Sequence, residues 1–248
     1  MREIARYRQL DQSQIGQTLR RLRDRIAERF PGSGLSNVAG ELVSLSDEAF
    51  DCVAYLQKPN WPIRAAVGIV IATMVVVVGL GALSIRLSSR VNSVSELVQT
   101  LDASINDIVF LGIAIFFLVT VEARLKRRKA LGSLQQLRSV VHIVDMHQLT
   151  KDPERLMSPQ PDTTSSPARS MTPPELGRYL DYCSELLSLT SKIAASFVQS
   201  FNDPVVLSTV NEIETLVTGL SGKIWQKITL LDRATRSDEI TLSARSRS

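Results

Sequence analysis

Hydrophobic residues follow two different patterns along the chain. No charged residue occurs between Ala65 and Ile85 or between Ile108 and Val121. Elsewhere, apolar residues recur every three or four positions, a spacing that places them on one face of a helix. A helix over Ala65–Ile85 would be about 32 Å long, close to the thickness of the hydrocarbon core of a bilayer. The pattern predicts an all-α membrane protein that combines membrane-spanning helices with amphipathic ones.

The second uncharged segment is shorter than the first. It reaches spanning length only if it begins at Ile105, which places Asn106 and Asp107 near one membrane surface. We therefore predict spans over 63–86 and 105–121. A short extracytoplasmic loop or amphipathic helix over 87–104 would join them. The expected result is a two-span transmembrane helical hairpin.

The cations that flank the two spans predict the orientation of this hairpin. Lys58 and Arg64 precede the first span, and five cations follow the second: Arg124, Lys126, Arg127, Arg128 and Lys129. The connecting segment contains fewer: Arg86 and Arg90, against Glu96 and Asp102. Because cytoplasmic flanks carry the excess of Lys and Arg, both termini should be cytoplasmic. We expect a plasma membrane protein, such as one of a bacterial inner membrane, whose five clustered cations face anionic lipid headgroups.

The amino-terminal region, 1–62, contains two amphipathic stretches separated by Pro31 and Gly32. Arginines lie opposite the first apolar stripe, at Arg20, Arg21, Arg23, Arg25 and Arg29. Such a face is either solvated or in contact with anionic lipid. No aromatic residues interleave these arginines, which argues against nucleic acid as a partner.

The carboxyl-terminal half divides into four segments by composition. A juxtamembrane helix is predicted over 122–157, and a linker rich in Pro, Ser and Thr over 158–174. An antiparallel αα-hairpin is predicted over 175–233, broken near Asp203-Pro204, and a polar, disordered tail over 234–248. The second helix of the hairpin carries four packing residues on one face: Ile213, Val217, Leu220 and Ile224.

Two amphipathic helices alone cannot bury both of their apolar stripes, so the hairpin needs a partner. The juxtamembrane helix, the amino-terminal helices or a second subunit could cover it. Within the first span, Gly68 and Ala72 form a small-xxx-small pair. This pair serves either to pack the hairpin or to associate subunits.

Catalytic motifs are absent from the sequence, and we predict no cofactor and no metal. Cys52 and Cys183 lie on apolar stripes and are expected to be reduced core residues. His142, Asp145 and His147 are the weak metal candidates. On a continuous helix, His147 would point some 140° away from His142, which favours ordinary surface or structural roles.

Composition narrows the function without defining it. The chain has 248 residues, 44% of them hydrophobic, and a net charge of +4, which excludes an intrinsically disordered chain. We predict a non-enzymatic, membrane-anchored helical scaffold or interaction protein. It would associate with itself through its cytoplasmic helices or bind another helical protein. The alternative is an oligomeric pore or channel-like effector built from the hairpin, and a membrane enzyme would rest on the His142 group alone.

Overall fold

All secondary structure in the described part of the chain is helical, which confirms the predicted all-α class. The computed structural model describes the backbone of residues 9–88, 94–153, 164 and 171–245, and the side chains of these except 77–78, 81–82, 84–88, 94–108 and 237–245. The helices are α1 (Gln12–Arg29), α2 (Gly34–Gln57), α3 (Trp61–Ser88), α4 (Val94–Leu149), α5 (Pro173–Ser200) and α6 (Pro204–Arg245).

The chain divides into two compact units. The bundle unit comprises Met1–Gln57 and Lys129–Ser248, and the apolar unit comprises Lys58–Arg128. The single helix α4 contributes its first part to the apolar unit and its last part to the bundle unit. Each unit is described separately below.

The bundle unit is organised around α5. This helix packs against α6, α1 and α2, and α1 also packs against α2. Buried residues occupy more than one face of α5: Leu176, Cys183 and Leu186 follow one apolar stripe, and Leu180 and Leu187 are buried beside it. Because α5 is covered on several sides, it is the central helix of the bundle.

Helices of the same chain cover the carboxyl-terminal hairpin. Apolar residues of α1, α2 and the end of α4 share one buried cluster with those of α5 and α6. The four packing residues Ile213, Val217, Leu220 and Ile224 are all buried in it. The hairpin therefore finds its partner within the same chain.

Polar contacts connect the helices at the rim of this core. Arg138 of α4 forms an ion pair with Glu212 of α6 at 3.1 Å. Arginines of the predicted basic face of α1 are also paired: Arg20 with Asp47 at 2.6 Å, and Arg25 with Glu185. These pairs are exposed, so each contributes little to stability. They do neutralise part of the charge that could otherwise attract an anionic surface.

Local signals fix where the helices of the bundle begin. Asp11 Oδ1 accepts hydrogen bonds from the backbone N–H groups of Ser13 and Gln14, which caps α1. Asp203 Oδ1 caps α6 in the same way, accepting from Val205 N at 3.0 Å and from Val206 N at 3.2 Å. Because α5 ends at Ser200 and α6 begins at Pro204, the turn between them is short, as an antiparallel pair of helices requires.

Two segment boundaries differ from the sequence prediction. α4 ends at Leu149, before Pro153, while residues 154–157 of the predicted helix and most of the predicted linker lie outside the described residues. The prediction of a disordered tail over 234–248 is wrong for residues 234–245, because α6 continues to Arg245; residues 246–248 lie outside the described residues. After Gly222 the chain contains neither Pro nor Gly, so nothing interrupts the helix once the buried part has formed it.

The apolar unit exposes its hydrophobic side chains. One helical stretch of the described part, within Gly34–Val76, is long and apolar enough to cross a membrane, with a mean hydropathy of 1.4 and none of its window buried. The stripe of α2 is buried, so this window falls in α3. The two-span prediction is not confirmed, because this is the one candidate span within the described residues, which leave out the side chains of 94–108.

We expect Leu220→Asp to unfold the bundle unit. Leu220 is 4% exposed, and burying such a side chain contributes roughly 1.5–3 kcal/mol, to which an unpaired buried carboxylate adds its own desolvation. The measurement is maleimide labelling of the buried Cys183 in native membranes, in a Cys52→Ala background. Wild type should stay unlabelled and Leu220→Asp should label fully.

Lys223→Ala is the matched control for this experiment, since Lys223 is exposed on the same helix. It should leave Cys183 protected, because exposed substitutions change stability by about 0.5 kcal/mol or less. Equal protection of Cys183 in Leu220→Asp and Lys223→Ala would contradict the packing described for α6.

Candidate functional site

A cluster of charged groups joins the start of α3 to α4 inside the apolar unit. The Oε2 atom of Glu122 accepts a hydrogen bond from Arg64 Nε at 2.7 Å. Its Oε1 atom lies 3.0 Å from Lys126 Nζ and accepts the backbone N–H of Asn60 at 3.2 Å. Lys126 Nζ also donates to the carbonyl oxygen of Lys58 at 2.7 Å. We call these five residues the Glu122 cluster.

Electrostatics hold this cluster in its charged form. The hydrogen bond from Arg64 lowers the pKa of Glu122 to about 2, against the opposing effect of burial, and the Asn60 N–H and the Lys126 ammonium lower it further. Arg64 is more than half exposed, so its share is screened by solvent. In the Lys126–Glu122 pair, Lys126 is buried and Glu122 is partly buried, so removing one partner costs less than the roughly 3–5 kcal/mol of a fully buried pair.

The five cations predicted to face lipid headgroups have different environments. The prediction that Lys126 faces lipid headgroups is wrong, because this residue is only 6% exposed. Its ammonium pairs with Glu122 and donates to the carbonyl oxygen of Lys58, since a buried ammonium requires such partners. Arg124, Arg128 and Lys129 are exposed, and Arg127 is partly buried.

Two of these cations lie over aromatic rings. The Arg124 guanidinium is 4.6 Å from the centroid of the Phe117 ring, within the apolar unit. The Lys129 ammonium is 4.2 Å from the centroid of the Tyr55 ring, within the bundle unit. Both distances suit cation–π attraction.

The predicted small-residue pair of the first span is open to its surroundings. A Cβ atom placed on Gly68 would meet no heavy atom of the described residues within 4 Å, and Ala72 is exposed. Packing of this pair inside the hairpin is therefore not seen among the described residues. Subunit association through Gly68 and Ala72 stays a prediction.

The three weak metal candidates point to different environments. His142 is exposed, and Asp145 accepts a hydrogen bond from Gln148 Nε2 at 2.6 Å. The His147 ring packs on the backbone at Gly34, where a Cβ atom would overlap it. No group of three or more His, Cys, Asp or Glu side chains that could hold a metal ion occurs within the described part of the chain.

A lysine of α6 holds the carboxyl end of α4. Lys227 Nζ donates to the backbone oxygens of Gln148 at 2.8 Å and Lys151 at 3.2 Å, which satisfies carbonyls that a helix end leaves unpaired. Burial lowers the pKa of Lys227 and raises the pKa of the nearby Cys183 thiol to about 12. A protonated, buried thiol is a poor nucleophile, so Cys183 acts as a core residue here.

A groove of about 520 Å³ opens on the bundle unit between α5 and α6. Small side chains of α5, such as Ser184 and Ser188, leave the space, and the lining combines the charged residues Asp181, Glu185 and Lys192 with the apolar Leu189 and Ile228. Trp225 also lines it and is 68% exposed. An exposed indole beside a groove of mixed polar and apolar lining is typical of a surface that contacts a partner, because Trp is enriched in interfaces.

Sequence reasoning missed Glu122 and Trp225. Glu122 is the acidic residue between the uncharged segment and the run of cations that follows it, which is a signal for an intrachain ion pair. Trp225 lies between Ile224 and Ile228 of the predicted stripe, but its exposure depends on how α5 packs against α6. The sequence contained a signal for the first and none for the second.

The chain matches no family model, no curated protein and no solved structure. Any functional proposal must therefore rest on the arrangement of the described residues. This arrangement provides a charged cluster that connects α3 to α4 and a groove on the bundle unit.

We expect Glu122→Ala to loosen the start of α3. The substitution removes the acceptor of the Asn60 N–H and leaves the buried Lys126 ammonium without its carboxylate. Hydrogen–deuterium exchange of a peptide covering Lys58 to Arg64, in the detergent-solubilised full chain, should accelerate at least tenfold, since about 1.4 kcal/mol corresponds to a factor of ten.

The pH dependence of this protection follows from the lowered pKa of Glu122. A carboxyl group whose folded-state pKa is depressed stabilises the fold above its unfolded pKa and loses that effect as the pH falls toward about 2. Protection corrected for intrinsic exchange should therefore persist at pH 4 in the wild type. Loss of protection near pH 4.5 would contradict the ion pairing described here.

Proposed function

We propose that this chain is a membrane-anchored helical interaction protein. In this proposal, α3 and the first part of α4 cross the plasma membrane as a two-span hairpin, and both termini are cytoplasmic. The observation that carries the proposal is the opposite surface character of the two units. The bundle unit buries its apolar stripes in a core of its own, whereas the apolar unit leaves its large apolar side chains exposed.

The exposed apolar surface of the apolar unit is too large for water. Its exposed large hydrophobic residues among the described side chains are Trp61, Ile69, Val70, Val75, Val76, Leu80, Leu83, Val109, Phe110, Ile113, Phe116, Phe117, Val119 and Leu125. Soluble monomers rarely expose apolar patches beyond a few hundred Å². Lipid acyl chains are a suitable environment for such a surface.

One end of this apolar surface carries residues that are typical of a membrane–water interface. Trp61, at the start of α3, is 72% exposed, and Trp is enriched where membrane helices meet the interface. The Glu122 cluster is also found at this end, where it would fix the two helices to one another outside the hydrocarbon core. These features support a cytoplasmic boundary close to Trp61 and Glu122.

The described core changes how self-association is proposed to occur. The stripes of α5 and α6 are already buried within the chain, so a second copy is not needed to cover them. We propose instead that the bundle contacts a partner, either a second copy or another protein, at the groove beside Trp225. A role in binding rather than catalysis fits the separated positions of His142, Asp145 and His147.

The pore alternative finds less support among the described residues. The hydroxyl of Thr120 donates to the carbonyl oxygen of Phe117 at 2.9 Å and so satisfies its own helix. Asn106 and Asp107, which the sequence places near one membrane surface, could also line a pore, but their side chains lie outside the described residues. The interaction protein is therefore the function that we propose.

Cysteine accessibility tests the membrane topology. In a background with Cys52→Ala and Cys183→Ala, we expect Val94→Cys to react with a membrane-impermeant maleimide in intact cells. Gly132→Cys should react only after permeabilisation, and a Cβ atom fits at Gly132 because it meets no heavy atom within 4 Å. The opposite pattern would overturn the orientation, and release of the chain by alkaline carbonate would overturn the anchoring.

Site-specific photocrosslinking tests the groove. A photoreactive phenylalanine analogue at position 225 should yield a discrete adduct of higher mass in native membranes. The matched control is position 215, where Thr215 is exposed on the same helix. Equal adducts at both positions, or no adduct at position 225, would refute the groove as the site of contact.

A further inference from the structure

We propose that one face of α4 binds a single anionic phospholipid, whose phosphate contacts the guanidinium of Arg124. This inference rests on the proposed membrane anchoring and adds to it a specific lipid ligand. The face is defined by Phe110, Phe117 and Arg124, which we call the lipid face.

The spacing of these residues places them on one side of the helix. They are seven residues apart, and an α-helix drifts by only about 20° over that interval. Each interval corresponds to about 10.5 Å along the axis. Phe110 and Phe117 are 69% and 53% exposed, and Arg124 is also exposed. The helix therefore presents two rings followed by a cation to its surroundings.

The contact with Phe117 holds the Arg124 side chain in a defined direction. The guanidinium carbon lies 4.6 Å from the centroid of that ring, so the side chain runs toward the apolar segment. This agrees with the tilt of helical side chains toward the amino terminus. The charge is thereby kept at the edge of the exposed apolar surface, where the phosphate of a bilayer lipid would lie.

Arg124 differs from the nearby cations Lys126 and Arg64 because its guanidinium is not engaged with Glu122. Lys126 and Arg64 are engaged with Glu122, whereas Arg124 has no carboxylate partner within the described part of the chain. A guanidinium can present two parallel N–H donors to phosphate oxygens while its face rests on an aromatic ring. Arg124 therefore combines a fixed position with free donors.

The rings indicate that the ligand is a lipid rather than a free phosphate. An acyl chain extending from a phosphate at Arg124 would pass Phe117 and then Phe110, and would cover their exposed surfaces. Free phosphate would leave both rings uncovered. The proposed ligand is thus a phospholipid with an anionic headgroup, which also supplies charge complementary to Arg124.

Native mass spectrometry of the detergent-solubilised full chain tests this inference, with phosphatidylglycerol and phosphatidylcholine added in equal amounts. Wild type should retain phosphatidylglycerol preferentially. Arg124→Ala should reduce that retention about fivefold, as expected for one cation near an anionic lipid. Phe117→Leu should also reduce it, because the charge remains but the ring that positions it is lost.

Arg128→Ala is the matched control, since it removes the same charge from an exposed position one turn further along α4. It should change retention by less than about twofold, because surface charges in water are screened. Equal losses in Arg128→Ala and Arg124→Ala would overturn the inference, as would unchanged retention in Arg124→Ala or displacement of the lipid by inorganic phosphate.

Carbonate extraction separates this inference from the proposed function. Every variant should remain in the membrane fraction, because the apolar segments are unaltered. Release of the wild type by carbonate would refute the anchoring itself. Retention of the wild type together with unchanged lipid binding in Arg124→Ala would refute the lipid face alone.

Discussion

The burial of α5 is the interaction on which the bundle unit depends. This helix is covered by α1, α2 and α6, so its apolar residues occupy several faces rather than one stripe. Covering it requires residues that are far apart in sequence, from the amino-terminal helices to the last part of α4. Because the core joins these segments, the chain on both sides of the apolar unit must fold together into one domain.

Charge is handled differently in the two units. In the bundle unit, ion pairs such as Arg138–Glu212 are exposed and contribute little stability, while the core contributes most. In the apolar unit, the buried Lys126 is paired with the partly buried Glu122, and additional hydrogen bonds from Asn60 and to Lys58 satisfy the pair. Such a fully bonded cluster fixes geometry, since neither charge can be left alone without a large desolvation cost.

The buried and exposed reactive or aromatic groups of the described residues have different roles. The core thiol of Cys183 has a raised pKa, and His147 is used to pack against Gly34. What is left exposed is an indole beside a groove on the bundle unit and a series of rings and cations on the apolar unit. We propose a protein partner for the first surface and a lipid for the second, because both ligands offer apolar area next to polar groups.

The sequence by itself determined the helical class, the apolar segment within α3 and the amphipathic stripes, because these depend on local spacing and composition. It also placed Ile213, Val217, Leu220 and Ile224 on one face of α6. Only the tertiary structure decided that α1, α2 and α4 cover this hairpin, since the stripes are equally compatible with several partners. It likewise decided that Lys126 is buried against Glu122 while Arg124 lies over the Phe117 ring, because a cation's partner depends on which groups lie beside it in the fold and not on its position in the sequence.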